Sequence, residues 1–196
     1  MQTFALNALI SRMKYIPRWS LMRCTRKENL SEHTAETAIL AHTLCSITNE
    51  LYNGTLRSEV VATAALYHDA SEILTGDMPT PVKYKNAELK AAYKKTEKEA
   101  SSRLATLLPK NLQGAMGGYI TGEVLTTEEK LLLKAADRLS AVIKCIEESA
   151  GGSKEFESAK TQQMTALVEM KLPSVDYFLE HMLPCYSLNL DELIRE

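Results

Sequence analysis

The sequence predicts an all-α protein, a single helical bundle, and three observations carry that reading. Apolar residues recur at helical spacing in segment after segment. Caps and breakers fall between the segments. No run alternates apolar and polar residues between turn signals as a half-buried strand would. The 196 residues are 45% hydrophobic and 24% charged, an ordinary globular composition with enough chain for a substantial core. No repeat, low-complexity tract or linker divides them, so residues 1–196 read as one domain.

Phe4 to Tyr15 carries apolar side chains at 4, 6, 9, 10 and 13, and Pro17 stops that first helix. Asn29-Leu-Ser-Glu32 resembles a capping box opening a second helix, which runs to about Tyr52 and ends at Asn53-Gly54. Ser58 is placed to cap a third, reaching through Val60, Val61 and Ala64 to His68-Asp69 and ending at Thr75-Gly76. Asp77-Met-Pro-Thr-Pro81 cannot continue a helix. Asn86 starts a long charged helix that closes before Pro109, and 110–122 reads as glycine-rich and irregular. Thr126-Thr-Glu-Glu129 is a capping box for a fifth helix carrying Asp137 and stopping at Gly151-Gly152. A helix over about 154–170, broken by Pro173, another over 176–183, and a last turn at 191–194 complete the chain.

The net charge of −2 and a pI near 6.1 argue against a nucleic-acid polymer as partner, yet leave room for a nucleotide held by a few cations and a metal. No apolar run approaches the ~20 residues of a membrane span, and Met1-Gln-Thr-Phe-Ala-Leu is not a signal peptide. Cys24, Cys45, Cys145 and Cys185 are scattered without a CxxC pair, which fits reduced thiols in a cytoplasm.

Four residues on three expected helices form a candidate ligand set: His33, His68, Asp69 and Asp137. Asp69 follows Ala64-Ala-Leu-Tyr67, and Asp137 follows Leu131-Leu-Leu-Lys-Ala-Ala136. A carboxylate in an apolar helix needs a partner, and one divalent cation supplies it for both. Taken singly, a buried histidine is more often a hydrogen-bonded core residue and an aspartate more often a cap. Taken together, two imidazoles and two carboxylates suit Mn, Co, Mg, Fe or Zn with positions left for water and substrate. His42 and His181 belong to no ligand pattern. Glu72 lies one helical turn after His68 and could orient a water or take its proton; a surface glutamate is an equal reading of the same spacing. By themselves, Arg18 reads as a surface cation and Trp19 as core filler.

The order His33, His68-Asp69, Asp137 resembles that of the HD-domain phosphohydrolases. Arg18-Trp19, Glu32-His33, Tyr67-His-Asp-Ala-Ser-Glu72, Thr75-Gly-Asp-Met-Pro-Thr-Pro-Val-Lys83 and Lys134-Ala-Ala-Asp137 resemble, in order and spacing, the bacterial HD-domain 5′-deoxynucleotidases. The resemblance covers most of the chain and is weakest over 104–125 and after Gly152. It implies an HD-type helical domain with its metal-binding core at about 29–145. It implies hydrolysis of deoxyribonucleoside 5′-monophosphates to deoxynucleoside and phosphate, with deoxyribose preferred over ribose. It implies one divalent metal (Co, Mn or Cu in activity, Zn or Mg admissible) on His33, His68, Asp69 and Asp137, and a homodimer. Arg18 would orient the phosphate and Trp19 would sit against the sugar. Glu72 would assist proton transfer. Asp77, Met78, Pro79 and Thr80 would line the substrate pocket with His33, Asp69 and Asp137, and Asp77 is the candidate donor to the leaving group. The rivals are another HD phosphohydrolase acting on a triphosphate or a phosphodiester, a non-catalytic HD nucleotide-binding module, and a helical scaffold. The first lacks a dense basic cluster, and the last leaves both aspartates unexplained.

Overall fold

The computed structural model describes residues 3–83 and 85–194, and among them every regular element is helical. The elements are α1 (Leu6–Ile10), a 3₁₀ turn (Ser11–Tyr15), α2 (Leu30–Tyr52), α3 (Ser58–Ala65), α4 (Glu72–Thr75), α5 (Thr80–Lys83), α6 (Ala87–Thr106), α7 (Lys110–Thr121), α8 (Thr127–Ala150), α9 (Glu157–Val168), α10 (Pro173–His181), a second 3₁₀ turn (Leu183–Ser187) and α11 (Leu190–Leu193).

The two longest core helices start where their capping boxes are. Asn29 accepts from the amides of Ser31 and Glu32, and Glu32 reaches back to Asn29 N. Thr126 and Glu129 do the same for α8. Asn53 ends α2 in the left-handed region, φ 56°, where asparagine is tolerated. α2, α3, α8 and α10 enclose the main core: Leu44, Cys45, Val61, Ala64, Ala135, Ala136, Leu139, Val142, Ile143 and Val175 are essentially inaccessible. Alanines at 41, 64, 65, 135 and 136 let the helix backbones approach closely there. A second cluster, Leu6, Ala70, Leu104, Leu108 and Ile120, joins α1, α6 and α7. Ala70 belongs to this second cluster and Ala65 to the first, so the chain between them is pinned at both ends.

That segment departs from expectation. The third helix ends at Ala65, and His68-Asp69 lies in a run of tight turns before α4. The amides of Leu66, Tyr67 and His68 reach back three residues, to Thr63, Ala64 and Ala65, rather than four. The His68 ring also takes the Ala65 carbonyl, Nδ1 to O 2.7 Å. Three other expectations shift. α3 has no side-chain cap at Ser58, because Arg57 precedes the helix and turns its guanidinium to Glu129, Nε to Oε1 2.8 Å. Residues 110–121 form a regular helix despite Gly114, Gly117 and Gly118. A Cβ at Gly118 would lie 3.4 Å from that of Val124, so the glycine is there for the close return of the chain. Pro173 occupies the first turn of α10, where its missing N–H costs nothing, so that helix starts three residues early.

Candidate active site

His33 sits in the first turn of α2 and is fully buried. Its Nε2 lies 3.4 Å from Asp69 Oδ2 and 3.2 Å from Asp137 Oδ1. His68 Nε2 lies 3.2 Å from Asp69 Oδ2 and 4.0 Å from Asp137 Oδ1. The two imidazole centroids are 5.2 Å apart. His33, His68 and Asp69 each offer a ligand atom within 4.8 Å of the others'. Asp137 approaches from α8, but its side chain is 42% exposed. It stands at the open side of the cluster and is not the buried charge its apolar helix suggests. Asp69, for its part, lies on a turn rather than inside a helix.

The outer nitrogens of both histidines are already committed. Ser140 donates to Glu36 Oε2 at 2.6 Å, so its oxygen is left to accept from His33 Nδ1–H at 3.0 Å. His68 Nδ1–H goes to the Ala65 carbonyl, which can only accept. Both Nε2 atoms therefore point inward as lone pairs, buried and with no hydrogen-bond partner. Two lone pairs facing two carboxylates is unfavourable unless something positive lies between them. Protons are one answer: burial opposes a charged ring, yet Asp69 and Asp137 outweigh it, raising His33 and pushing His68 up to about 9. Burial likewise opposes the ionised Asp69, but His68 and His33 hold its carboxyl well below the usual range. A divalent ion satisfies the same donors with neutral rings, and the donor set suits it.

Arg18 reaches the cluster from the segment after Pro17, with Nη1 3.7 Å from Asp69 Oδ2 and Nε 3.5 Å from Glu28 Oε2. Burial works against its charge, and Glu28, Asp137, Asp69 and Asp77 together hold it protonated. Trp19 follows in the left-handed region, φ 58°, its Nε1 donating to Glu28 Oε2 at 2.7 Å and its ring 5.3 Å from that of Phe156. Glu72 is buried at the start of α4, one Oε2 without a partner. Burial first, then Asp69 and Asp77, push its carboxyl up to about 9. Its placement beside the cluster comes from the turn that precedes it and not from a shared helical face with His68. Asp77 is half-buried after Gly76 and is raised by burial, against the pull of Arg18. Met78 and Pro79 are half-buried along the same segment, Pro79 O accepting from the amides of Val82 and Lys83. Thr80 opens α5, and its side chain lies outside the described residues.

Sequence reasoning missed Glu28, Glu36, Ser140 and Phe156. None has a local signature; Glu36, Ser140 and Phe156 are found only through contacts distant in sequence, and Glu28 only through the antiparallel pairing of Pro17 with Asn29. A cavity of about 170 Å³ borders Glu28, lined also by Arg26, Glu32, Glu36, Lys144 and Glu147. Four carboxylates against two cations make it unsuited to a phosphate, and the chemistry lies with the histidines instead.

This geometry has relatives. The family model "5'-deoxynucleotidase YfbR-like" matches residues 5–186. A 5′-deoxynucleotidase of Yersinia pseudotuberculosis serotype I is 45% identical over 186 residues, covering 95% of this chain and 94% of the relative. One from Yersinia pestis strain Pestoides F matches to the same extent, 45% over 95% and 94%. Among solved structures, an HD-domain phosphohydrolase from Listeria innocua superposes with a TM-score of 0.78 at 23% identity, over 92% of this chain and 87% of that one. The cyanophage S-2L HD phosphohydrolase bound to dA and one catalytic Zn²⁺ ion gives 0.67 at 20% identity, over 90% and 95%. The fold is thus the HD-domain helical bundle, and with a family model spanning 5–186 and relatives 45% identical along nearly their whole length, the chain belongs to the YfbR-like 5′-deoxynucleotidase family.

Proposed function

We propose that this chain is a metal-dependent 5′-deoxynucleotidase, releasing phosphate from deoxyribonucleoside 5′-monophosphates and preferring deoxyribose to ribose. The observation that carries it is the pair of buried Nε2 lone pairs converging on Asp69, with Arg18 3.7 Å from the same carboxylate. The names of its 45%-identical relatives and the dA bound to the phage structure support the substrate class.

In this reading His33, His68, Asp69 and Asp137 hold one divalent ion, which would polarise a phosphate oxygen and acidify water. The zinc of the phage enzyme supports a divalent metal, and Co, Mn, Cu or Mg are the alternatives to test. Arg18 binds a second phosphate oxygen, fixing the phosphorus for in-line attack and neutralising charge that grows in the transition state. Glu72, buried with an unpartnered oxygen, orients the attacking water and assists proton transfer. Asp77, in the segment lined by Met78, Pro79 and Thr80, delivers a proton to the departing 5′-oxygen. Trp19 walls the sugar and makes a 2′-hydroxyl clash. The working form in this reading is a homodimer in the cytoplasm. Four unpaired cysteines suit a reducing compartment, and exposed Ile39, Leu188, Leu190 and Ile194 are side chains a second copy would cover.

The test is phosphate release from dAMP and AMP by protein stripped of metal and then given Mn, Co, Mg or Zn. Release that needs metal and favours dAMP is expected. Equal release from both removes the sugar wall, and metal binding without release from either removes the nucleotidase. Trp19→Ala should narrow the dAMP-to-AMP ratio of kcat/KM.

A further inference from the structure

A bulky residue at positive φ is uncommon and persists only where its surroundings hold it there. Trp19, at φ 58°, is held from several sides. Segments 16–18 and 28–30 run antiparallel, with Arg18 N to Glu28 O and Leu30 N to Ile16 O both 3.0 Å. This short ladder sets the Glu28 side chain beside Arg18 and Trp19. Glu28 Oε2 accepts from the indole N–H at 2.7 Å and is the near anion to Arg18 Nε, at 3.5 Å. Oε1 lies 3.9 Å from His33 Nδ1. Phe156, fully buried, backs the indole at 5.3 Å.

One carboxylate, 11% exposed, therefore joins the two residues the site needs for phosphate and sugar. Its charge balances the Nε side of the guanidinium, which would otherwise lean on Asp137, Asp69 and Asp77. Its oxygen fixes the rotation of the indole plane. An aliphatic residue could do neither, and an amide could do only the second.

We propose that Glu28 is a positioning residue that fixes Arg18 and Trp19 as one unit and so sets the sugar selectivity of the site. This rests on the reading of Trp19 as the sugar wall. The chain has a single tryptophan, so fluorescence excited where tyrosine does not absorb reports on that wall.

The experiment compares wild type, Glu28→Ala, Glu28→Gln and Trp19→Ala, measuring kcat and KM for dAMP and AMP and, where the indole remains, emission and acrylamide quenching. Glu28→Ala should cut the dAMP-to-AMP ratio about tenfold, the worth of one charge-assisted hydrogen bond, towards the Trp19→Ala value. Its emission should shift to the red and quench more readily. Glu28→Gln keeps an acceptor for the indole, so ratio and emission should stay near wild type while KM for dAMP rises roughly three- to tenfold from the unbalanced Arg18. A Glu28→Ala protein with unchanged ratio and emission overturns the proposal. So does a Glu28→Gln protein with wild-type KM, which serves as the deciding variant if the alanine form does not fold. A wild type that does not distinguish dAMP from AMP fails earlier, removing the sugar wall and the selectivity assigned to Glu28 with it.

Discussion

Glu148 should be among the most costly single side chains to remove. It lies in the last turn of α8, 1% exposed, and accepts four hydrogen bonds: from Thr25 N at 2.6 Å, Thr25 Oγ1 at 2.8 Å, Arg26 N at 3.2 Å and Lys144 Nζ at 2.6 Å. Lys144, also buried, gives a second proton to the Arg26 carbonyl at 2.6 Å. Burial alone would raise the Glu148 carboxyl, but Lys144 and the donors of Thr25 and Arg26 bring it down to about 2. A carboxyl that ionises near 4.5 unfolded and about 2 folded contributes on the order of 3 kcal/mol at neutral pH. Removing one member of a buried pair costs about 3–5 kcal/mol. The two routes agree, and either figure is a large part of a typical total of about 5–15 kcal/mol. Because the folded value is depressed, the contribution is complete above about 4.5 and disappears as the pH falls towards 2. Urea unfolding of Glu148→Ala should thus show a loss of about 3–5 kcal/mol at pH 7, shrinking steadily below pH 4. Since 25–26 leads directly to Glu28, KM for dAMP should rise as well. A loss under about 1 kcal/mol at pH 7, the range of an exposed pair, would mean that water replaces these bonds and that the clamp is not structural.

Other perturbations test other parts. Ser140→Ala removes the acceptor that holds His33 Nδ1–H, and metal affinity measured by calorimetry should fall about 10- to 100-fold; an unchanged affinity would mean His33 needs no such anchor. Leu139→Ala opens a hole between α2 and α8 beside the site, and urea denaturation should register a loss of about 2–5 kcal/mol. Gly122→Ala forces a side chain onto a residue at φ 71°, and a drop of about 1 kcal/mol is expected from the same assay.

How far the sequence carries depends on how locally each feature is determined. The helix starts at Asn29 and Thr126 are legible because a cap and its reciprocal glutamate lie three residues apart. In the candidate ligand set Asp69 and Asp137 are legible because a charge among apolar neighbours is visible in any short window. The break at Leu66 is not: Ser58 to Thr75 has no glycine or proline before Gly76, and what ends α3 is the pull of two separate cores on Ala65 and Ala70. Helix 110–121 is the converse, since its glycines lower propensity while packing with α6 and the return through Val124 holds it.

The same distinction divides the site. His33, His68 and Asp69 declare themselves, but what aims them does not. The Ser140 hydroxyl that fixes the His33 tautomer is 107 residues away, and the ring behind Trp19 belongs to Phe156, in the stretch where motif matching ends. Glu28 is only nine residues from Trp19, yet its role depends on an antiparallel pairing that no helical period foretells. Chemistry restricts which residue types can bind a metal or a phosphate, so those positions carry a pattern. A group that only has to present one acceptor at one place can come from any element the fold brings near. The residues that orient the site are therefore where substitutions silent to motif reading should alter selectivity, and Glu28 is the sharpest case.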